Sequence, residues 1–223
     1  MAAIADARLL PSDRFFAFWS LRGYFSVSPA RGLIPPLREW TQPRYLTEAE
    51  YKRLLAVVRH EPRDAALIEL LLQTGLRLAE VSRLTLGDID LPQKNGVGHV
   101  RVLGKGRRSR TISLNSKAAK ALTTYLHVRP HDTDDSHVFL TRFKRGIGPR
   151  SIENVVSKYL KEAGIRNASV HTLRHTFGTQ MALRKVSLVT IRDMLGHADI
   201  KTTSIYVGLA RELMDREVEE HAL

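Results

Sequence analysis

The pattern of apolar and polar positions predicts a mostly helical chain with one short sheet element. Apolar residues recur at helical spacing in most of the sequence after residue 47, and five long helices are expected at 116–128, 150–163, 171–184, 187–195 and 201–220. Residues 97–114 differ, because Val100 and Val102 alternate with polar neighbours, a Gly-Lys-Gly turn follows, and alternation resumes at Thr111. The fold class expected is therefore mainly α with a small antiparallel β-sheet or hairpin.

Three regions follow from the same pattern. Residues 1–43 carry one predicted helix, Ser12–Tyr24, and a proline-punctuated stretch that is typical of an extended linker. Thr47 and Glu50 form a capping-box pattern that starts the regular helical part. We expect an N-terminal helix and linker (1–43), a main helical domain (44–207) and a C-terminal acidic helix or tail (208–223).

Composition narrows the class of partner. The 223 residues include 35 Lys plus Arg against 23 Asp plus Glu, a formal net charge of +12, which favours a nucleic acid or an anionic membrane surface. No apolar stretch approaches the 18 residues of a membrane span, and no basic helix exposes large apolar residues, so a membrane role is not expected. Cysteine is absent, which excludes disulfides, thiolate metal ligands and a cysteine nucleophile. The first residues do not resemble a signal peptide, and we expect a cytoplasmic protein.

The basic residues cluster. Residues 101–112 hold five basic side chains and no acid, and residues 141–166 hold seven against two glutamates, whereas the tail from Val207 is mostly acidic. Clustered Lys and Arg residues are typical of a surface that binds DNA phosphates. The expected DNA-contacting residues are Arg101, Arg107, Arg108, Arg110, Arg142, Lys144, Arg145 and Arg150.

The segment Thr74–Asp90 contains the first candidate for chemistry. Gly75 ends one predicted helix, and Arg77 lies in the turn before the next. A turn arginine between two buried helices is held rigidly, and its guanidinium fork suits an oxyanion. The alternative is that Arg77 simply pairs with Glu80.

The sequence HTLRHTFGTQM contains the second candidate. His171 and Arg174 are three residues apart and therefore share one helix face, which sets a titratable base beside a cation. The spacing of His171 and His175 also resembles a zinc-protease motif, but the glutamate base is missing and Arg174 would repel a metal. His175 is interpreted as a core histidine.

Two further positions complete the set. Gly196 ends a predicted helix, His197 follows in the turn, and Tyr206 comes nine residues later, where a tyrosine near cations could attack phosphorus. Lys105 lies at the tip of the predicted hairpin, from which a lysine can reach into a DNA groove.

In this order, the motifs TGLR, GKG, HTLRH and LGH, followed by Tyr206, resemble the tyrosine site-specific recombinases of the phage integrase family over about residues 45–210. The resemblance implies the catalytic-domain fold of that family and cleavage and rejoining of DNA through a covalent 3′-phosphotyrosine, without cofactor, metal or ATP. It also implies double-stranded DNA with a specific recombination site as partner, and a homo-tetramer on DNA that could exchange its C-terminal helix.

The resemblance assigns a role to each candidate residue. Arg77 and Arg174 would clamp the scissile phosphate, Lys105 would protonate the leaving 5′-hydroxyl, His171 would accept a proton, His197 would bond the phosphate, and Tyr206 would be the nucleophile. Family members usually carry a helical core-binding domain before the catalytic one. Residues 1–43 are too short for that whole domain and resemble its last helix and exit.

Two alternatives remain at this point. A type IB topoisomerase uses similar chemistry to relax DNA, and a non-catalytic DNA-binding module could retain the same fold. The presence of all six polar residues argues against the second alternative. In a recombinase of prokaryotic or phage type, we expect association with the nucleoid.

Overall fold

The computed structural model divides the chain into two compact units, residues 1–41 and residues 42–223. It describes residues 11–27, 29, 43–92, 97–104 and 109–220. In these described ranges, no helix combines the length and the apolar character that crossing a membrane requires.

The first unit contains helix α1, Pro11–Leu21, which is three residues shorter at its C-terminal end than predicted. The rings of Phe15 and Trp19 lie edge to face with centroids 6.2 Å apart, and Trp19 contacts Tyr24 in the same way at 5.0 Å. Phe15 keeps 58% of its surface exposed. The aromatic residues of this segment contact one another and bury only part of their surface.

The second unit is built from helices. They are α2 (Glu48–Val58), α3 (Pro62–Thr74), α4 (Leu78–Ser82), α5 (Ser116–Val128), α6 (Pro149–Glu162), α7 (Val170–Leu183), α8 (Leu188–Leu195) and α9 (Lys201–Glu220). The five helices predicted after residue 115 all form, with ends within one residue of the expected bounds.

Local signals in the sequence explain the helix ends. The Thr47 side chain accepts the Glu50 backbone N–H while the Glu50 carboxylate accepts the Thr47 N–H, so the predicted capping box begins α2. Pro62 occupies the first turn of α3, where its missing N–H has no cost. Gly75 ends α3 in the left-handed conformation with φ of 62°, which favours glycine.

The sheet has three antiparallel strands in sequence order: β1 (Ile89–Asp90), β2 (Gly98–Leu103) and β3 (Ser109–Leu114). The predicted hairpin is confirmed, with Val100 opposite Ile112 and Val102 opposite Arg110. The sequence did not predict β1, because two residues are too few to show an alternating pattern. The hairpin tip, including Lys105, Arg107 and Arg108, lies outside the described residues.

The core lies around α3. Because α5, α7 and α2 pack against this helix, most of its residues are buried, and most of the buried ones are apolar. A second, smaller cluster consists of Phe177, Ile191, Leu195 and Tyr206, contributed by α7, α8 and α9. Tyr206, the tyrosine that the sequence predicts to be reactive, is thus packed as a core residue. This smaller cluster packs against Gly75, two residues before Arg77, and contains Tyr206 itself.

The acidic C-terminal segment packs at least partly on its own chain. Helix α9 runs without a break through the expected boundary between residues 207 and 208. Leu209 is buried and Leu213 and Met214 are half-buried, whereas Val218 is 72% exposed. The apolar stripe of the tail therefore begins against α7 and α8 and leaves its far end uncovered.

Candidate active site

The turn between α3 and α4 fixes Arg77. The N–H of Arg77 donates to Glu80 Oε2 at 2.8 Å, and its guanidinium Nη1 donates to Glu80 Oε1 at 3.0 Å. The Arg77 side chain still exposes 41% of its surface. The two interpretations of Arg77 are therefore compatible, because it pairs with Glu80 and keeps a face open to a ligand.

Gly75 is required two residues before Arg77. A Cβ atom at this position would lie 2.6 Å from the Phe177 ring and 2.7 Å from Leu195. The left-handed turn therefore lies directly on the smaller core cluster, which sets the position of the following arginine.

Three arginines from different elements converge on the C-terminal end of α8. Each donates to one of three consecutive main-chain carbonyls: Arg110 Nε to Met194 at 3.2 Å, Arg174 Nη2 to Leu195 at 2.7 Å and Arg77 Nη2 to Gly196 at 2.7 Å. The last carbonyls of a helix have no partner within the helix and lie at the negative end of its dipole. The carbonyls at the end of α8 thus bind the three positively charged side chains of the site.

Arg174 is the most deeply placed of the three. Its guanidinium is buried and also donates to the carbonyl of Gly75, so one side chain joins the α3–α4 turn to the end of α8. Burial, with a further contribution from the charge of Arg77, lowers the pKa of Arg174 to about 10. Arg174 stays charged at neutral pH.

Glu80 holds this cationic cluster together. Its two oxygens accept four hydrogen bonds, two from Arg77 and two from the guanidinium of Arg110 at 2.8 and 2.9 Å. Burial alone would raise the pKa of Glu80, but the hydrogen bonds and charges of Arg110 and Arg77 lower it below its usual value. Three guanidinium groups and one carboxylate leave two net positive charges, which suits a phosphodiester.

Tyr206 lies near Arg174, and its hydroxyl is 3.0 Å from Nδ1 of His175. Burial raises the pKa of Tyr206, and the charge of Arg174 offsets part of this rise. Burial also lowers the pKa of His175, and so do His171 and Arg174. The resting site therefore holds a neutral tyrosine hydrogen-bonded to a neutral histidine.

His175 is the site residue that sequence reasoning placed in the core. That interpretation named no partner; in the structure the ring is half-buried and meets the hydroxyl of Tyr206, which is 31 residues further along the chain. The spacing of His171, Arg174 and His175 on one helix face was the available signal. The sequence could not show that α9 crosses that face.

His197 is a second histidine next to Tyr206. Their rings are nearly parallel, at 13°, with centroids 6.4 Å apart, and Nδ1 of His197 is 2.9 Å from the Thr203 hydroxyl. Burial and the nearby arginines lower the pKa of His197 to about 4, so the ring is neutral at pH 7. His171 is exposed at the start of α7. Lys105 lies outside the described residues.

Gly178 makes room for Tyr206. It lies seven residues after His171 on the same face of α7, and a Cβ atom there would come 2.6 Å from Cζ of Tyr206. The sequence HTLRHTFGTQM thus encodes both the polar groups and the space for the tyrosine ring.

We expect the Gly178→Ala variant to lose about 1–3 kcal/mol of unfolding free energy, because the added methyl overpacks the Tyr206 ring. Gly208→Ala is the matched control: no heavy atom lies within 4 Å of the new Cβ, and alanine is the better helix former. Urea unfolding of both variants measures the difference. Equal stability of Gly178→Ala and the unmodified protein would contradict the close packing.

Six of the eight residues expected to contact DNA lie in the described part of the chain. Four are exposed as a DNA-binding role requires: Arg101, Arg142, Arg145 and Arg150. Lys144 is also exposed, but its ammonium pairs with Asp132. Arg110 differs from the expectation, because its guanidinium turns inward to Glu80 and Met194.

Comparison with known proteins identifies the family of this chain. The phage integrase family matches residues 44–212, and the chain belongs to that family, the tyrosine site-specific recombinases. It is similar to tyrosine recombinase XerD of Neisseria meningitidis, with 34% identity over 97% of this chain and 76% of that protein. Tyrosine recombinase XerC of Haemophilus ducreyi is 35% identical over 91% of this chain and 67% of that protein.

Solved structures show the same fold. The crystal structure of XerA recombinase superposes with a TM-score of 0.71 at 28% identity, covering 97% of this chain and 78% of that one. XerH recombinase, bound to a palindromic difH substrate after cleavage, gives a TM-score of 0.76 at 20% identity over 93% of this chain and 65% of that one. The mainly helical class with a small antiparallel sheet is thus the tyrosine recombinase catalytic-domain fold.

Proposed function

We propose that this protein is a site-specific recombinase that cleaves and rejoins DNA through a covalent bond between Tyr206 and a 3′-phosphate. The observation that carries the proposal is that Arg77 and Tyr206, which are distant in sequence, both lie near enough to Arg174 to act on its charge. Phosphoryl transfer needs a nucleophile and cations that neutralise the equatorial oxygens, and these residues supply both.

The reaction follows from these groups. The Tyr206 oxygen attacks the scissile phosphorus and loses its proton, the bond from phosphorus to the 5′-oxygen breaks, and Lys105 gives a proton to that oxygen. Arg77 and Arg174 hold the non-bridging oxygens, and the neutral His197 can donate a further hydrogen bond to them. Attack by a free 5′-hydroxyl on the phosphotyrosine reverses these steps and rejoins the strand.

Tyr206 has to be uncovered before it reacts. Only 1% of its surface is exposed, and its hydroxyl is hydrogen-bonded to His175. In this proposal His175 holds the hydroxyl at rest, and His171, exposed at the start of the same helix, accepts a proton once the phosphate is bound. Both histidines lie on the α7 face that carries Arg174.

A covalent adduct is the decisive product. The protein is incubated with a pool of nicked duplexes whose arms are randomised, denatured in SDS, and the attached DNA is sequenced. A defined duplex sequence should be trapped on the protein. Absence of any SDS-resistant adduct in the pool would reject the proposed chemistry.

Recombination is favoured over the two alternatives because the chain is similar to recombinases over nearly its whole length. A plasmid with two copies of the selected duplex separates the three activities. A recombinase exchanges the segments between the copies, a type IB topoisomerase only relaxes the plasmid, and a non-catalytic module does neither.

We expect Lys105→Ala to slow cleavage of ordinary DNA by about 100-fold or more and to slow cleavage of a 5′-phosphorothiolate duplex far less. A sulfur leaving group needs little protonation, so the loss of a general acid then matters little. Single-turnover rates on the two substrates measure the contrast. Equal slowing on both would make Lys105 a DNA-positioning residue instead.

The proposal also concerns the partners of this protein, and it is supported by known complexes of similar proteins with DNA. The XerH structure contains a DNA substrate, and a lambda integrase structure is a dimer on a core site. We propose that this protein binds a specific double-stranded site as a homo-oligomer, a tetramer when two sites are paired, and acts on DNA in the cytoplasm. The exposed end of α9 near Val218 is the segment available for exchange with a neighbour.

A further inference from the structure

Arg110 is an arginine of the basic hairpin that faces the protein interior. Its side chain is 17% exposed, compared with 63% for Arg101 on the neighbouring strand. Three of its five N–H donors are used, one on the Met194 carbonyl and two on the oxygens of Glu80.

The backbone below Arg110 is shaped to fit it. Gly196 has a φ of 63°, and a Cβ atom there would lie 2.7 Å from Nη1 of Arg110 and 2.8 Å from its Cζ. The carbonyl of the same glycine accepts Nη2 of Arg77. One glycine therefore contacts two arginines, and the turn that carries His197 begins at this point.

Arg110 reaches Arg77 through a shared carboxylate. Oε1 of Glu80 accepts both Nη1 of Arg110 and Nη1 of Arg77, while Oε2 accepts Nη2 of Arg110 and the N–H of Arg77. The bidentate contact from Arg110 fixes the plane of the carboxylate, and that plane sets the direction of the Arg77 guanidinium. Without Arg110, the Glu80 carboxylate would keep only its two hydrogen bonds from Arg77, and its plane would no longer be fixed.

We propose that Arg110 is a positioning residue for the reaction: anchored on the Met194 carbonyl, it aims Arg77 through Glu80 and makes no contact with DNA. This inference rests on the proposed function, because it concerns the same phosphate site. It replaces the expectation, drawn from the sequence, that Arg110 binds DNA. Through Arg110, strand β3 is also connected to Arg77, because both arginines bind Glu80.

The first test compares cleavage with binding. We expect Arg110→Met to lower the single-turnover cleavage rate at saturating selected duplex by about 100-fold. Its DNA affinity and the slope of log K against log salt should stay as in the unmodified protein, because Arg110 itself binds no phosphate and Arg77 keeps its charge in the site. Arg101→Met should reduce that slope by about one. A reduced slope in Arg110→Met would overturn the proposal.

Two further variants control for charge and for folding. Arg59→Met removes an exposed arginine at the end of α2 and should leave the cleavage rate unchanged. Arg110→Lys keeps a charge near Glu80 but cannot form the bidentate contact, so we expect an intermediate rate. If Arg110→Met does not fold, as judged by circular dichroism, Arg110→Lys carries the test. A wild-type rate in that variant would overturn the proposal.

The second test asks whether Arg110 acts through Arg77. In an Arg77→Ala background, the further change Arg110→Met should lower the cleavage rate by less than about 3-fold, because the residue that Arg110 aims is gone. A full 100-fold loss in that background would show an independent, merely structural effect. Failure of the proposed function is distinguishable, since the unmodified protein would then form no adduct at all.

Discussion

The Tyr206→Phe variant is expected to form covalent protein–DNA adducts at a rate lowered by more than about 1,000-fold, because it lacks only the oxygen that we propose as the nucleophile. The ring remains packed over Gly178 and beside His197, so the fold and the arginine clamp stay in place. Loss of the hydrogen bond to His175 should cost only about 1 kcal/mol of stability. SDS-resistant adduct on the selected nicked duplex is the measurement.

Binding provides the control for this variant. The affinity of Tyr206→Phe for the same duplex should remain within about 2-fold of the unmodified protein, because phosphates are bound by cations and not by the hydroxyl. Tyr159→Phe is the matched substitution, since it also removes a hydrogen-bonded hydroxyl from a buried tyrosine, here one bonded to Asp64. It should keep adduct formation. Undiminished adduct in Tyr206→Phe would assign the nucleophile to another residue.

The second large effect is expected for Arg174→Lys, with a cleavage rate lowered by about 100- to 1,000-fold. Arg174 donates to two carbonyls at once, those of Gly75 and Leu195, and a single ammonium cannot replace this fork. Burial and the charge of Arg77, which already lower the pKa of Arg174 to about 10, would act on a lysine with a lower starting pKa and favour its neutral form.

Arg53→Lys is the matched control for Arg174→Lys. Arg53 also donates to a main-chain carbonyl, that of Ala163, but it joins α2 to the end of α6. Its substitution should leave the single-turnover cleavage rate unchanged. A rate for Arg174→Lys within 5-fold of the unmodified protein would remove Arg174 from the phosphate clamp.

Much of the fold could be predicted because its signals are local. The helix from 116 to 128 formed at the predicted residues, with Asn115 capping it, and α9 also matched its expected bounds. The hairpin formed with the buried faces that its alternation predicts. The strand β1 was missed, since its two residues owe their conformation to pairing with β2. Periodicity carries no information about an element that short.

The sequence also determined the composition of the site. The turn glycine before Arg77, the shared helix face of His171 and Arg174, and the turn before His197 are each written within a few residues. These local patterns fix which side chains are available and how each is held on its own element. They cannot fix which elements meet, because that depends on how the whole core packs.

Only the tertiary structure decided the partners across the site. It brought Tyr206 onto His175, turned Arg110 away from solvent onto Glu80, and placed three arginines on the end of α8. These contacts join residues 21 to 119 positions apart in the chain, so their partners are set by packing and not by local sequence. The amino-acid sequence by itself therefore determined the elements and the chemical groups, whereas the packing of α7, α8 and α9 decided which groups can react together.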